Sequence, residues 1–451
     1  MLTIRLRSIF LPFFPFFFVC THSCGILTPN EEEVSMNDKE VAEIIAKENE
    51  RQNRGIELIA SENYPSVDVR EAQGSILTAK YAEGYPGRRY YGGCVYIDEV
   101  ENLAIERAKA LFHVSFANVQ PHSGSQANFA AYHALLKKGD KILSLDLNDG
   151  GHLTHGSPVS FSSDWYQFVH YGLDETSHLD YEGIEKKLYE ENPDLFLAGY
   201  SAYPYAIDFR RMREILDCYQ EKTGKKCYFL VDMAHIAGIV AAGLCQNPCD
   251  YADVVTSTTH KTLRGPRGGI LLTNQEELSK KINKSVFPYT QGGPLEHIIA
   301  AKAVAFQEDL QPSFVTYMKK VLENTKACND ALFSFGAKVS STDNHLFLVN
   351  VKESYGLTGR EAENLLSLAD ITVNKNMIHG DKEKPKDTSG LRIGFAAATS
   401  RGCTKEDAIA IASLIDSILK GGEKVAEEKK EEVHHLTSSW KRIEELRYLE
   451  D

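Results

Sequence analysis

Short apolar runs alternate with amphipathic helical stretches from about Asp98 to Phe306. That alternation predicts a parallel sheet whose strands are joined by crossover helices. The clearest strands are Lys141–Leu145, Leu195–Tyr200, Cys227–Asp232, Asp253–Ser257 and Gly269–Thr273. Residues Cys227 to Val231 read as a fully buried strand that ends in an acid, Asp232. Helices are expected at Gly124–Lys137, Asp208–Thr223 and Leu295–Phe306. Around Gln311–Tyr317 the pattern changes to a long helix (Phe314–Phe335), a strand (Leu346–Val351) and a helix (Gly359–Ala369). A polar loop (Asp381–Thr388), a strand (Gly390–Gly394) and a helix (Lys405–Leu419) follow. The expected fold class is α/β: a mostly parallel large domain over 66–311 and a smaller C-terminal α+β domain over 312–422. A helical arm over 36–65 precedes them, and 423–451 read as a charged helical tail, solvated on most faces.

Residues 1–35 stand apart. Arg5 and Arg7 precede an apolar run from Ile9 to Cys20, with Ser23, Cys24 and Gly25 after it. This is like the apolar region of a secretory signal and too short to span a membrane, yet Pro12 and Pro15 interrupt it. The polar, helix-prone stretch Asp38–Asn53 begins just after Met36. The reading adopted is a mis-assigned start, with translation from Met36 and a cytoplasmic protein; an organellar targeting segment is the second reading.

The 451 residues exceed what one small core needs, and 43% hydrophobic with 25% charged residues is ordinary for a globular protein. A net charge of -13 argues against a general nucleic-acid or anionic-membrane surface, while leaving room for a local basic site for phosphate or carboxylate. The nine cysteines form no CxxC pair, and Cys245 and Cys249 have no accompanying zinc-spaced ligands. No metal is expected, and the thiols read as buried and reduced.

The sharpest chemistry is Ser257-Thr258-Thr259-His260-Lys261, which follows a buried strand and leads into the Gly-rich turn Arg264–Gly269. A lysine at a strand mouth is placed to form an imine, because desolvation or nearby cations lower its pKa and free the amine. Taken alone, it reads as a surface lysine beside a turn; its neighbours reverse that reading. Asp232, 29 residues earlier, falls at a neighbouring strand end, where a buried carboxylate needs a cationic partner such as a protonated pyridine nitrogen. Its plain reading is a turn cap. Ser123, Gly124 and Ser125 precede an apolar helix and suit a phosphate at a helix N-terminus, or simply cap that helix. The loop Gly150–Gly156 offers His152, whose flat ring can stack on a heteroaromatic ligand.

Three further groups of segments accompany these: Glu57–Asn63; Lys80–Gly93 with its tyrosines; and Gln291–Pro294, Thr342–Leu346, Asn374–Asn376 and Ser389–Arg392. Together, from about Glu57 to Gly402, they resemble the serine hydroxymethyltransferase family in order and approximate spacing. The resemblance implies a fold-type I pyridoxal-phosphate enzyme of aspartate-aminotransferase architecture, with tetrahydrofolate as co-substrate. It also implies a homodimer or homotetramer whose active sites are shared between subunits.

Carried onto this chain, the resemblance gives Lys261 as the imine-forming lysine, Asp232 as the partner of the pyridine nitrogen and His152 as the stacking ring. Ser123, Gly124, Ser125 and His260 hold the phosphate, joined by Gly293 of a neighbouring subunit. Ser201 and His235 face the phenolic oxygen, and Thr258 joins the catalytic set. Arg392 binds the substrate carboxylate, assisted by Ser61, and bidentate guanidinium geometry suits that task. Tyr91 and Arg267 assist exchange of the imine from lysine to substrate. Tyr81, Tyr90 and Glu83 complete the substrate side, with Tyr81 and Glu83 from the neighbouring subunit and Glu83 as the acid–base group. Leu147, Leu153 and Asn376 match positions that contact folate.

Two positions depart from the family pattern. His379 stands near a common proline, and Phe395 stands where a threonine is usual. The implied reaction is reversible transfer of the serine hydroxymethyl carbon to tetrahydrofolate, and the departures motivate an alternative, a folate-independent β-hydroxy-amino-acid aldolase.

Overall fold

The computed structural model describes residues 36–448, so the readings of residues 1–35 lie outside the described residues. Seven strands build the principal sheet: β1 (Phe116–Asn118), β2 (Lys141–Leu145), β3 (Gln167–Tyr171), β4 (Leu195–Ala198), β5 (Tyr228–Asp232), β6 (Val254–Thr258) and β7 (Gly269–Thr273). Their order is β1-β7-β6-β5-β4-β2-β3. From β6 to β3 every pairing is parallel, while β7 runs antiparallel to both β6 and β1. All residues of β4, β6 and β7 are buried, as in a sheet covered on both faces.

Strand periodicity divides the side chains between two cores. Leu195, Leu197, Leu230 and Val254 point to one face, packing with Ala127, Ala130 and Ala131 of helix α3 (Gly124–Leu135). Phe196, Ala198, Phe229, Val231 and Val255 point to the other, against Met212, Leu216 and Phe306. The remaining helices that matter are α1 (Lys39–Arg54), α2 (Val95–Phe112), α4 (Glu296–Asp309), α5 (Pro312–Ser334), α6 (Gly359–Leu368) and α7 (Lys405–Thr437).

A second, antiparallel sheet has the order β8-β9-β11-β10, built from β8 (Lys338–Val339), β9 (Leu346–Asn350), β10 (Asn374–Asn376) and β11 (Gly390–Gly394). Phe347, Val349, Leu391 and Ile393 share its core with Leu366 of α6 and with Ile411 and Ile415 of α7. Ile56–Glu57 pairs in parallel with Ile371–Thr372. Among the described residues, no helix is long and apolar enough to cross a membrane.

Several boundaries differ from the sequence expectation for physical reasons. β4 stops at Ala198 because Gly199 (φ +108) turns the chain where a Cβ would lie 1.9 Å from the Asp232 carbonyl oxygen. The strand expected to reach Val351 ends at Asn350, whose side chain accepts from the Glu353 N–H and caps the helix Val351–Tyr355. The helix expected to stop at Leu419 passes through a kink at Gly422 and continues to Thr437.

The tail also differs. After Thr437 the chain leaves the helix and buries Trp440, Ile443 and Leu446, the last fully. Tyr448 then lies over Arg264, guanidinium carbon to ring centroid 3.7 Å, and donates to the Tyr64 carbonyl. The lysines and glutamates of 423–432 are solvated, but the apolar residues beyond them are packed. Among the thiols, Cys245 is exposed rather than buried.

Gly199→Ala tests the closest approach in this fold. It forces both a left-handed backbone and a clash with Asp232, so denaturant unfolding is expected to show a loss of at least about 2 kcal/mol.

Candidate active site

The carboxyl ends of β5 and β6 lie side by side, with Asp232 paired to Thr256 in the parallel register. Crevices at such strand ends are where open α/β sheets bind ligands. The start of α3 closes the third side. Ser123 caps it, accepting from the Gln126 N–H at 3.2 Å, and Gly124 sits so close to β6 that a Cβ would meet Thr258 Cγ2 at 2.6 Å. The result is a cavity of about 190 Å³. Ser123, Gly124, Ser125, His152, Ser201, Asp232, His235, Thr258, His260 and Lys261, all singled out from sequence, line it.

Asp232 is held on three sides. Its Oδ2 accepts from Asn128 Nδ2 at 2.8 Å and from His155 Nε2 at 3.3 Å, and its Oδ1 accepts from the Ala234 N–H at 3.0 Å. Asn128 is fixed in turn by the Thr256 hydroxyl, 2.6 Å from its Oδ1. Burial alone would raise this carboxyl. The His155 hydrogen bond and charge, with His152 and Lys261, outweigh it and hold the group well below the usual carboxylate range. An ionised acid aimed into a small cavity suits a proton-bearing ring nitrogen.

His152 Nδ1 takes the Thr154 N–H at 3.2 Å and shares a hydrogen with the Thr154 hydroxyl at 2.8 Å. Burial, with the charges of His155 and Lys261, lowers it to about 4, so a neutral ring faces the cavity. Lys261 is pushed down to about 8 by burial; Asp232 opposes that shift, and Arg392 and Arg267 add to it. An amine so placed has a substantial neutral fraction near neutral pH.

Arg392, on β11, reaches across from the second sheet. Its Nη1 donates to the Ser201 carbonyl at 2.7 Å, its Nε to Asn374 Oδ1 at 3.2 Å and its Nη2 to Ser61 Oγ at 3.4 Å. Burial lowers it to about 10, which leaves it charged at neutral pH.

Two buried atoms in the lining, Thr258 Oγ1 and His260 Nδ1, have no protein partner. Buried polar groups are rarely left so, and together with the free N–H groups of the α3 start they mark a place for an anion's oxygens. Phosphate at the helix start, a ring between His152 and Asp232, and Lys261 within the same cavity fit pyridoxal phosphate.

The remaining predicted residues are elsewhere. Tyr81 and Tyr91 contact one another, ring centroids 4.9 Å apart, and Tyr90 lies against Phe287 at 5.6 Å. A Cβ on Gly293 would meet the Tyr81 ring at 3.3 Å, and one on Gly292 would meet Glu83 Oε1 at 3.2 Å. These residues form a second cluster that does not line the cavity, and Tyr90 is 77% exposed. Arg267 is exposed, with its charge felt at Lys261 and His260. On the expected folate side, Leu147 and Leu153 are exposed, and Asn376 ends β10 with its amide on the Met377 carbonyl at 2.6 Å. Their chain neighbours Asn148, Asp149, Met377 and His379 line a larger cavity of about 300 Å³.

The two departures resolve differently. The Phe395 side chain is fully buried in the small-sheet core, so it is a packing change and does not face the cavity. His379 Nδ1 pairs with Asp149 Oδ1 at 2.7 Å. Residues not singled out from sequence are His155, Asn128 and His345, whose Nε2 lies 3.3 Å from His235 Nδ1. The spacing of His155 after His152 was visible; nothing marked Asn128.

A lysine, a ring-facing carboxylate and an anion cradle at one strand-end crevice define a pyridoxal-phosphate enzyme of fold type I. A family model described as serine hydroxymethyltransferase matches residues 34–415, most of the chain, and the protein belongs to that family. Members are pyridoxal-phosphate-dependent transferases of serine and glycine one-carbon metabolism that use tetrahydrofolate as co-substrate.

Asp232 depends on Asn128 and His155. Asn128→Ala and His155→Phe are each expected to weaken pyridoxal-phosphate binding by roughly 10- to 100-fold, the worth of a hydrogen bond to a charged group. Absorbance titration of the cofactor-free protein checks this.

Proposed function

We propose that the enzyme transfers the hydroxymethyl carbon of serine to tetrahydrofolate, reversibly, giving glycine and 5,10-methylenetetrahydrofolate. The observation that carries this is Arg392: a charged, buried guanidinium tied to Ser201 and Ser61 beside the cavity that holds Lys261. It is suited to a single small carboxylate, and a second cavity bordered by neighbours of Leu147 and Asn376 offers room for a co-substrate.

Bound pyridoxal phosphate supplies an electron sink that makes bonds at the α-carbon of an amino acid labile. Asp232 keeps a proton on the ring nitrogen through its ionised carboxylate. Arg392 fixes the substrate carboxylate and thereby orients the α-carbon substituents. Lys261 Nζ, held near the working pH, gives up and takes back a proton as substrate enters and product leaves. His235 stays neutral, its pKa driven far down by burial and then by Lys261 and Arg392, and so offers a hydrogen bond without a competing charge.

The reading includes a homodimer or a dimer of dimers. Tyr81, Glu83, Tyr90, Tyr91 and Gly293 lie together but outside the cavity of their own chain, which fits residues that complete the site of a second copy. Glu83 is then the acid–base group beside the hydroxymethyl carbon.

Serine cleavage is expected to rise strongly with tetrahydrofolate, and Lys261→Ala to abolish both turnover and the visible band of the bound cofactor. Cleavage indifferent to folate leaves the β-hydroxy-amino-acid aldolase instead.

Sharing of the site has its own test. Lys261→Ala and Glu83→Ala chains, each inactive, regain about a quarter of normal activity when reassembled in equal amounts, because half the dimers are hybrids with one intact site. No recovery in confirmed hybrids sinks the shared site.

A further inference from the structure

Lys302 of α4 is 1% exposed, and the chemistry above does not use it. Its Nζ donates to the carbonyls of Val119 at 2.6 Å, Pro121 at 3.0 Å and Gly269 at 2.9 Å. Val119 and Pro121 lie in the turn between β1 and Ser123, and Gly269 opens β7 two residues after Arg267. The packing around it leaves no slack: a Cβ on Gly268 would meet Lys302 Cε at 2.5 Å, and one on Gly269 would meet the Ser123 carbonyl at 2.5 Å. Gly268 in turn accepts from the Thr259 N–H at 3.2 Å, so the lysine loop is joined through Gly268 and Gly269 to the ammonium that holds the turn before α3.

A tether alone does not explain a charge. Interior cations are costly, and apolar replacement of buried ionic groups is often neutral or stabilising. The carboxylates whose charge reaches Lys302, Glu101 of α2 and Glu296 of α4, both pair with Arg89, at 2.7 and 3.5 Å. On the cavity side the region presents polar groups suited to an anion: the α3 start, Thr258 Oγ1 and His260 Nδ1 converge there.

We propose that Lys302 is a positioning residue for the cofactor's phosphate: it sets the turn that presents Ser123 and Gly124 and places a positive charge behind them. The reach of that charge is seen in its neighbours. His122, just before Ser123, is lowered by burial and then by Lys302; at His260, burial leads and Lys302 adds to Lys261 and Arg267.

The test compares pyridoxal phosphate with pyridoxal, which lacks the phosphate, in absorbance titrations of the cofactor-free full-length protein. Lys302→Gln keeps N–H donors without the charge. It is expected to weaken pyridoxal phosphate about tenfold or more and pyridoxal less than about twofold, the order expected for a charge-assisted contact. Equal weakening of both ligands, or of neither, overturns the proposal.

Burial pushes Lys302 down to about 7, against Glu101 and Glu296, so an anion beside it favours the charged form. A second variant, Lys302→Arg, keeps the charge and is expected to retain the preference for pyridoxal phosphate over pyridoxal to within about threefold. Loss of that preference in a folded Lys302→Arg protein overturns the proposal.

Discussion

An ionised carboxylate kept inside the protein at the end of β5 is the constraint around which the site is organised. Asp232 could escape the cost of burial by taking up a proton, and it does not, because Asn128, His155 and the Ala234 N–H hold the charged form. Each of those partners comes from a different element, so the acid indexes them to one another. Asn128 lies about one turn into α3, which ties the anion-binding helix start to the acid. His155 brings in the loop that carries His152. Gly199 lets β4 and its continuation approach the Asp232 backbone closely. A ring with a phosphate at one end and a nitrogen at the other is therefore measured against a single rigid frame.

The charges around the cavity are unequal. Lys261 and Arg392 are buried cations near one buried acid, Asp232, and Lys302 lies behind the cavity within reach of Glu101 and Glu296. The imidazoles of His152, His235 and His260 are held neutral by the same burial and by nearby cations. An excess of interior positive charge is unfavourable by itself and becomes favourable when anions enter. On the proposed reading, a phosphate at the helix start and a carboxylate at Arg392 are two such anions. The same reading needs no general basic surface, in keeping with a net charge of -13.

Asp232 was legible in the sequence because it terminates a buried apolar run, where a charged residue is conspicuous, and Lys261 because a buried strand precedes its polar segment and a Gly-rich turn follows it. Their supporting residues were not. Asn128 sits among alanines in a helix whose apolar face was already explained, and His155 follows His152 in a short 3-10 turn that no periodicity marks. Lys302 was present as a lone lysine in an alanine-rich helix, yet only the fold shows three carbonyls converging on it. The tail misled for the opposite reason. Its dense charges over 423–432 dominate the pattern, while Trp440, Ile443 and Leu446, spaced three apart, carry the burial. The tyrosine-rich segment lies outside the cavity of its own chain, and only the proposed pairing of two copies brings it to the reaction.

The two departures from the family pattern illustrate why residue type alone does not fix meaning. β11 alternates, sending Leu391 and Ile393 into the small-sheet core while Arg392 points to Ser201 and Ser61. Phe395, just past the strand, follows the core, so its bulk is absorbed there and Arg392 keeps its setting. His379 instead joins the segment after Asn376 to the turn after Leu147 through Asp149. With the imidazole about one-third exposed, such a pair is screened and contributes at most about 1 kcal/mol. That is enough to bias the spacing of the two segments flanking the larger cavity and too little to lock it. If that cavity takes the co-substrate, as the proposed function has it, the bond tunes its affinity and leaves the chemistry at Lys261 untouched.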